Sequence, residues 1–391
     1  MLKRRRGTWY AQADSPEVGA LDRQTPPPCA FFPRCGGCAL QHLAYDAQLN
    51  HKEGRLLHVL EQAGVRPQKV RRPVAGPRLH YRYKARLGCR LLGSELLVGF
   101  RESFSSRVAR MDSCQTLALP FARNLPLLQE ALAGLEQPHL VPQVELAAGD
   151  TDFAYVVRHL QPLTEADRVR LLCFARNSGG RLYLQPEGYD SVHPLDPGDA
   201  SDYLAYSNLD FGLRYQFRPT DFTQVNPHMN RSLVRSAVLG LDPPPGATVA
   251  DLFCGIGNFS LALARLGARV HGYEAASSSI ERAQLNASLN GLSNQAQFRV
   301  VDLYHAEGEL LPEVEFLLLD PPRSGAGPNL RQWASWPRLE RIAYVSCSPD
   351  TFAEDARVLQ QTGFELKEVG IYDMFPHTAH VETLGVFQRR G

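Results

Sequence analysis

Ala343-Tyr344-Val345-Ser346-Cys347-Ser348-Pro349-Asp350 is the stretch on which the reading of this 391-residue chain turns. The apolar run from Ile342 to Val345 predicts a buried strand. It stops at a cysteine set between two serines, and Ser-Pro then opens a helix over 350–359. A cysteine at the carboxyl end of a strand in an α/β sheet stands on the rim where such folds hold ligands. A lone cysteine is more often a small, buried apolar side chain, so its neighbours must decide.

Working outward, strand after strand ends in a polar residue. Val249-Ala-Asp251-Leu-Phe253-Cys-Gly255-Ile-Gly257-Asn258-Phe-Ser260 reads as strand, glycine loop and helix. The glycines let backbone approach a ligand, and the helix start favours its polar groups. The next strand, 269–273, ends at Glu274, placed to accept both hydroxyls of a ribose. Ser260 stands where the dinucleotide fingerprint has its third glycine, so the loop favours S-adenosylmethionine over NAD. A third strand, 297–301, ends at Asp302, positioned for an adenine amino group. A fourth, 314–319, ends in Asp320-Pro-Pro-Arg323, a turn that presents a polar group to a planar base. After the helix that follows Cys347, a strand over 364–372 leads to Asp373-Met-Phe-Pro-His377-Thr-Ala-His380-Val-Glu382. Glu382 opens the last strand, on the same rim as Cys347.

The first half has a different character. Residues 1–28 are basic, then polar, and end in three prolines, which predicts a poorly ordered arm. Cys29, Cys35 and Cys38 form a C-x5-C-x2-C group, with Gly36 and Gly37 allowing a tight fold. Three thiols so spaced suit zinc or an iron–sulfur cluster, with Cys114 the best fourth ligand and Cys89 second. Only one C-x2-C knuckle is present, which favours the cluster. A helix is predicted over 43–65, ending at Gly64, followed by a hairpin of strands at 79–91 and 95–101. Between Arg66 and Arg110 stand twelve Lys/Arg against Glu95 and Glu102, although the whole chain carries only +1. Such a segment attracts a polyanion, and its interleaved aromatic residues suit base stacking; an ordinary hairpin with a solvated face fits equally. A helix at 125–135, strands at 152–160 and 180–185, and a linker at 194–202 complete this part. Gln224 and Asn226, ahead of a helix at 227–239, are amides able to read a ligand's edges.

Apolar content of 44% and charged content of 21% are those of a globular protein, and no uncharged apolar run is long enough to span a bilayer. Eight cysteines are too sparse for a disulfide framework, which points to a reducing cytoplasm.

The motifs F-T-Q-V-N, D-L-F-C-G-I-G-N-F, L-D-P-P-R, S-C-S-P and H-T-A-H-V-E, in that order, resemble those of the RNA uracil-5-methyltransferases, especially the iron–sulfur members acting on 23S ribosomal RNA. The resemblance implies a class I (Rossmann-like) S-adenosylmethionine-dependent methyltransferase domain at 201–391. It also implies a β-rich α+β iron–sulfur and RNA-binding domain at 29–200, whose helix at 43–65 can pack on the catalytic part. By the same match Gln224, Phe253, Asn258, Glu274, Asp302 and Asp320 line the donor and uracil sites. Cys347 matches the nucleophile and Glu382 the proton acceptor, and Cys29, Cys35, Cys38 and Cys114 match the ligands of a [4Fe–4S] cluster. The 28 residues before Cys29 are too few for the N-terminal TRAM β-barrel of many relatives, so the layout is that of the shorter members. The chain is expected to act as a monomer on 23S ribosomal RNA.

Uracil carbon 5 is a weak nucleophile, and thiolate addition at carbon 6 makes it electron-rich. Cys347 suits that step if the helix start beyond Ser348-Pro349 lowers its pKa, and Glu382 suits removal of the carbon 5 proton if burial raises its own. Methylation of a transfer-RNA uridine by the same chemistry is the nearest alternative. A non-catalytic iron–sulfur RNA-binding protein is a further one, disfavoured because both Cys347 and Glu382 are intact.

Overall fold

The computed structural model describes residues 2–5, 8–11, 22–24, 26–196, 198, 202–305 and 314–391. Strands β1 (Leu2–Arg5) and β2 (Thr8–Ala11) pair antiparallel within the segment expected to be an arm; residues 12–21 and part of the linker read at 194–202 lie outside the described residues.

Helix α1 (Tyr45–Gln62) is followed by the short strand β3 (Lys69–Val70). A smaller α+β unit then contains β4 (Lys84–Leu92), β5 (Glu95–Gly99), α2 (Leu119–Ala133), β6 (Gln143–Ala148), β7 (Phe153–Arg158), α3 (Glu165–Ser178), β8 (Arg181–Gln185) and β9 (His193–Pro194). Its sheet runs β5-β4-β6-β7-β8-β9, antiparallel except for the β7–β8 pair. Next come the hairpin β10 (Leu204–Asn208) and β11 (Leu213–Phe217), and helix α4 (Pro227–Leu241).

The alternating unit comprises β12 (Thr248–Leu252), α5 (Ser260–Arg265), β13 (Arg269–Glu274), α6 (Ser277–Leu289), β14 (Ala296–Val300), β15 (Phe316–Leu319), α7 (Leu330–Ala334), β16 (Arg341–Ser346), α8 (Pro349–Gln361), β17 (Phe364–Tyr372) and β18 (Glu382–Arg389). Its sheet runs β14-β13-β12-β15-β16-β18-β17-β3. The first five strands are parallel and β18 is antiparallel to both neighbours. β12, β15 and β16 are buried along nearly their whole length, which is why they read as unbroken apolar runs. One core lies between this sheet and α4–α6, and another lies beneath α1, α7 and α8.

Two features tie the first half to this sheet. Leu56, Leu60 and Val65 are part of the core that contains Phe352 and Leu359, so α1 packs on α8. β3 extends the sheet beyond β17, in parallel register with it. No helix among the described residues is long and apolar enough to cross a membrane.

The strand expected at 79–91 begins only at Lys84. His80 takes a positive φ of 54°, and residues 80–83 bond sideways: His80 N to Gln115 O, Arg82 N to Thr116 O and Tyr83 N to Val225 O. Several of the interleaved residues are accordingly turned inward, although Arg86 stays exposed. Tyr81 is fully buried and donates to Pro376 O, Lys84 donates to Asp221 O, and Arg86 pairs with Glu145. The exposed basic residues of the segment are Arg66, Lys69, Arg72, Arg78, Arg86, Arg90, Arg101, Arg107 and Arg110.

Candidate active site

β16 and β18 are antiparallel, with Ser346 opposite Thr383. The residue that leaves β16, Cys347, and the residue that opens β18, Glu382, therefore share one rim although they lie 35 positions apart in the chain. Glu382 is 3% exposed. Burial first, then the neighbouring Asp320 carboxylate, pushes its pKa well up, and Arg323 opposes the shift. Cys347 is half-buried. Burial raises its thiol pKa, Glu382 and Asp320 add to this, and Arg323 works against it, by charge and by a hydrogen bond. The expectation of a lowered thiol is thus corrected for the free protein. The group that opposes burial is the Arg323 guanidinium, which also donates to His380 Nδ1 at 2.8 Å. Asp320, at the end of β15, is raised to about 8 by burial and by Asp251.

The glycine loop lies beside this cluster. Phe253 and Cys254 both donate their backbone N–H to Tyr273 O. Phe253 has φ 66°, a left-handed conformation uncommon for a bulky residue and typical of sites where backbone must meet a ligand. Gly257 has φ 88°, and a Cβ there would lie 3.3 Å from the Phe298 ring, so a side chain would be both strained and crowded. Ser260 donates to the buried Asp251 at 2.5 Å, and burial raises Asp251 to about 7.

Glu274 ends β13 and accepts from the N–H groups of Ala275 and Ala276 at 2.8 and 3.1 Å. Asp302 is exposed, and its pKa is lowered by hydrogen bonds from His305 and the Tyr304 N–H. Asn258 forms a two-way amide pair with Asn230, at 2.8 and 3.0 Å, and accepts from Tyr206. Its side chain thereby braces the loop against α4. Gln224 lines a cavity of about 320 Å³ together with Tyr83, Asp150, Tyr206 and Asn230. Asn226 does not read a ligand. It is fully buried, caps α4 by accepting from Met229 N at 3.2 Å, and donates to Met374 O.

A second cavity, of about 350 Å³, is lined by Cys29, Cys35, Cys38 and Cys114. Cys89 is buried but is not among its lining residues. Burial raises the thiols of Cys35 and Cys38 to about 11 and about 12, and in both cases Cys114 adds to the shift. A Cβ on Gly36 would lie 2.9 Å from Arg101 O, so glycine is needed there for the cysteine loop to close, and one on Gly37 would crowd the Phe100 ring at 3.1 Å. Among the described residues no three His, Cys, Asp or Glu side chains are arranged to hold a single metal ion.

The family model described as tRNA (Uracil-5-)-methyltransferase matches residues 202–307 and 311–390. A Hahella chejuensis protein named 23S rRNA (uracil(1939)-C(5))-methyltransferase RlmD is 42% identical over 93% of this chain and 83% of its own length. One of the same name from Cupriavidus pinatubonensis is 43% identical over 99% of this chain and 86% of its own. The chain belongs to the RNA uracil-5-methyltransferase family. The fold agrees: the Pyrococcus abyssi tRNA (uracil-54, C5)-methyltransferase, solved with S-adenosyl-L-homocysteine, superposes with a TM-score of 0.73 over 99% of this chain and 91% of that one, at 22% identity.

Two parts of the site are not legible in the local sequence. Arg323 was read only as the residue after the Pro-Pro turn, and its meeting with Cys347 and His380 depends on a loop fold that local sequence does not encode. Asp251 and Ser260 were visible in the glycine-loop motif, but nothing there marked them as a bonded pair.

Proposed function

We propose that this protein transfers the methyl group of S-adenosylmethionine to carbon 5 of a uridine in 23S ribosomal RNA. The observation that carries the reading is one shared rim: a thiol, a buried carboxyl with a raised pKa, a second carboxyl and a guanidinium, next to a strained glycine loop. The relatives that match nearly the whole chain are named for the ribosomal substrate, which favours it over transfer RNA.

Bound S-adenosylmethionine supplies an electrophilic methyl group. Cys347 adds as thiolate to uracil carbon 6, and the carbon 5–carbon 6 electron pair moves toward oxygen 4. Carbon 5 then attacks the methyl carbon, whose bond to sulfur breaks. Glu382 takes the carbon 5 proton; that electron pair restores the double bond as the thiolate leaves. A buried carboxyl with a pKa raised toward neutrality is matched to this proton transfer. Gln224, Phe253, Asn258, Glu274, Asp302 and Asp320 surround the donor and the base, Asn258 by bracing the loop. The target base must leave its stack to reach such a rim.

Cys29, Cys35, Cys38 and Cys114 are assigned as the ligands of a [4Fe–4S] cluster. Four thiols facing one cavity support this. A cubane binds each thiolate through a different iron, so its ligands need not converge on one point. In this reading residues 29–200 form the cluster and RNA-binding domain and 201–391 the catalytic one, with the chain acting as a monomer.

Cys347→Ala is expected to abolish both methylation of 23S ribosomal RNA and covalent RNA trapping, and Glu382→Gln to accumulate the covalent complex. Undiminished methylation by Cys347→Ala, or methylation of transfer RNA alone, overturns the reading. Anaerobically purified protein is expected to hold four irons per chain (one cubane), and Cys38→Ser to lose them together with the visible absorbance.

A further inference from the structure

Between β17 and β18 the chain leaves the sheet over Asp373–Val381, and Glu382 is the first residue after this excursion. Five consecutive residues of it are held by side chains or backbone from elsewhere in the chain. Asp373 receives Lys52 Nζ at 2.5 Å and the Tyr45 hydroxyl at 2.7 Å, and its own N–H donates to Val74 O. Met374 O accepts from Asn226, Phe375 O from Lys52 at 2.9 Å and Pro376 O from Tyr81 at 2.9 Å. His377 N donates to Gln48 Oε1, and His377 O accepts from Ala39 and Leu40, immediately after Cys38. His377 has φ 67°, so its partners impose the path of the loop. At the far end His380 meets Arg323, which faces Cys347.

Lys52 and Asp373 are each 1% exposed. A buried ion pair is weak evidence for stability, because desolvation cancels most of its attraction; its best-supported use is to select one geometry. Lys52 bonds both the carboxylate of Asp373 and the carbonyl of Phe375, fixing two points at the start of the loop that ends at Glu382.

We propose that Lys52 and Asp373 are positioning residues for the proton-removal step: through the loop 373–381 they hold Glu382 against the carbon 5 hydrogen, and His380 against Arg323. The inference rests on the methyltransfer reading above. Neither residue touches substrate; Lys52 acts from α1, outside the large sheet. The prediction is a split between two half-reactions. Methyl transfer needs Cys347 and the donor, whereas proton removal needs the placement of Glu382 as well.

The test uses protein-free 23S ribosomal RNA tritiated at uridine carbon 5 and S-adenosylmethionine labelled in its methyl group, in a single turnover below the melting temperature. For Lys52→Met, and for the milder Tyr45→Phe, methyl label is expected in protein-bound RNA at close to the normal rate. Tritium release to water is expected to slow about 10- to 100-fold, the scale of a misplaced catalytic group. If methyl transfer and tritium release fall together, or neither changes in the folded variant, the pair is structural and the proposal is overturned. Should Lys52→Met fail to fold, Tyr45→Phe decides by the same ratio. Wild-type protein that transfers no methyl label defeats the underlying reading instead, a result distinct from a parallel decline in the variants.

Discussion

A thiol and a carboxyl that must both ionise during one reaction oppose each other when they share a buried rim. Glu382 raises Cys347, and Asp320 raises both. Such a cluster holds one negative charge more easily than two. Arg323 is the cation that acts on both Cys347 and Glu382, so its removal has a definite sign. For Arg323→Met, loss of the positive charge raises the thiol further, and less thiolate is present at neutral pH. The acid limb of kcat/KM should move to higher pH, with about a tenfold loss at pH 7 for each unit of displacement and partial recovery on the alkaline side. A pH–rate profile in the presence of excess donor checks this. An unshifted limb would mean that Arg323 does not govern the nucleophile.

At the scale of elements, the entry to α4 shows how a residue chosen as a ligand reader proves to be structural. Asn226 caps the helix and holds Met374 O while fully buried. Asn226→Ala should cost about 1–2 kcal/mol, seen as a lower urea midpoint with an unchanged slope. The positions of the strand ends were legible in the sequence because each buried strand is an apolar run stopped by a polar residue. Asp320 and Cys347 follow that rule most plainly, Glu274 ends its strand, and Glu382 instead opens one. What local pattern could not supply was direction. Alternation at 79–87 suggested a face toward RNA, whereas long-range bonds to 115–117 and to Pro376 turn Tyr81 inward. α3 went unread because only Asp167, Leu171 and Phe174 are buried along it, a stripe too thin to stand out, although Thr164 and Asp167 do form a capping box. β3 has two residues, too short for any periodicity, yet it joins the first half of the chain to the large sheet.

For the whole molecule, the buried carboxyls fix how stability depends on pH. Asp320 and Asp251 have folded pKa values of about 8 and about 7, against an ordinary 3.8. Glu382 is also raised. Above pH 4 the folded chain therefore binds more protons at these sites than the unfolded chain does, and the acids make stability fall as pH rises. His42 and His377 are buried and lowered to about 4 from 6.5. Between those values the unfolded chain binds the extra protons, so the two histidines oppose the three acids and offset part of their effect. The histidines' opposition fades as pH passes 6.5, where the unfolded imidazoles lose their protons, and the acids then dominate until Lys84, lowered to about 8 by burial, acts in the opposite direction near that pH. The ligand-free protein should therefore lose stability between pH 6.5 and 8. Asp320→Asn removes a group that titrates across this whole interval and should flatten the slope there. Urea midpoints at half-unit intervals from pH 5 to 8.5, for both proteins, measure the difference. An equal decline in the variant would place the titrating proton elsewhere and leave Asp320 ionised in the folded state.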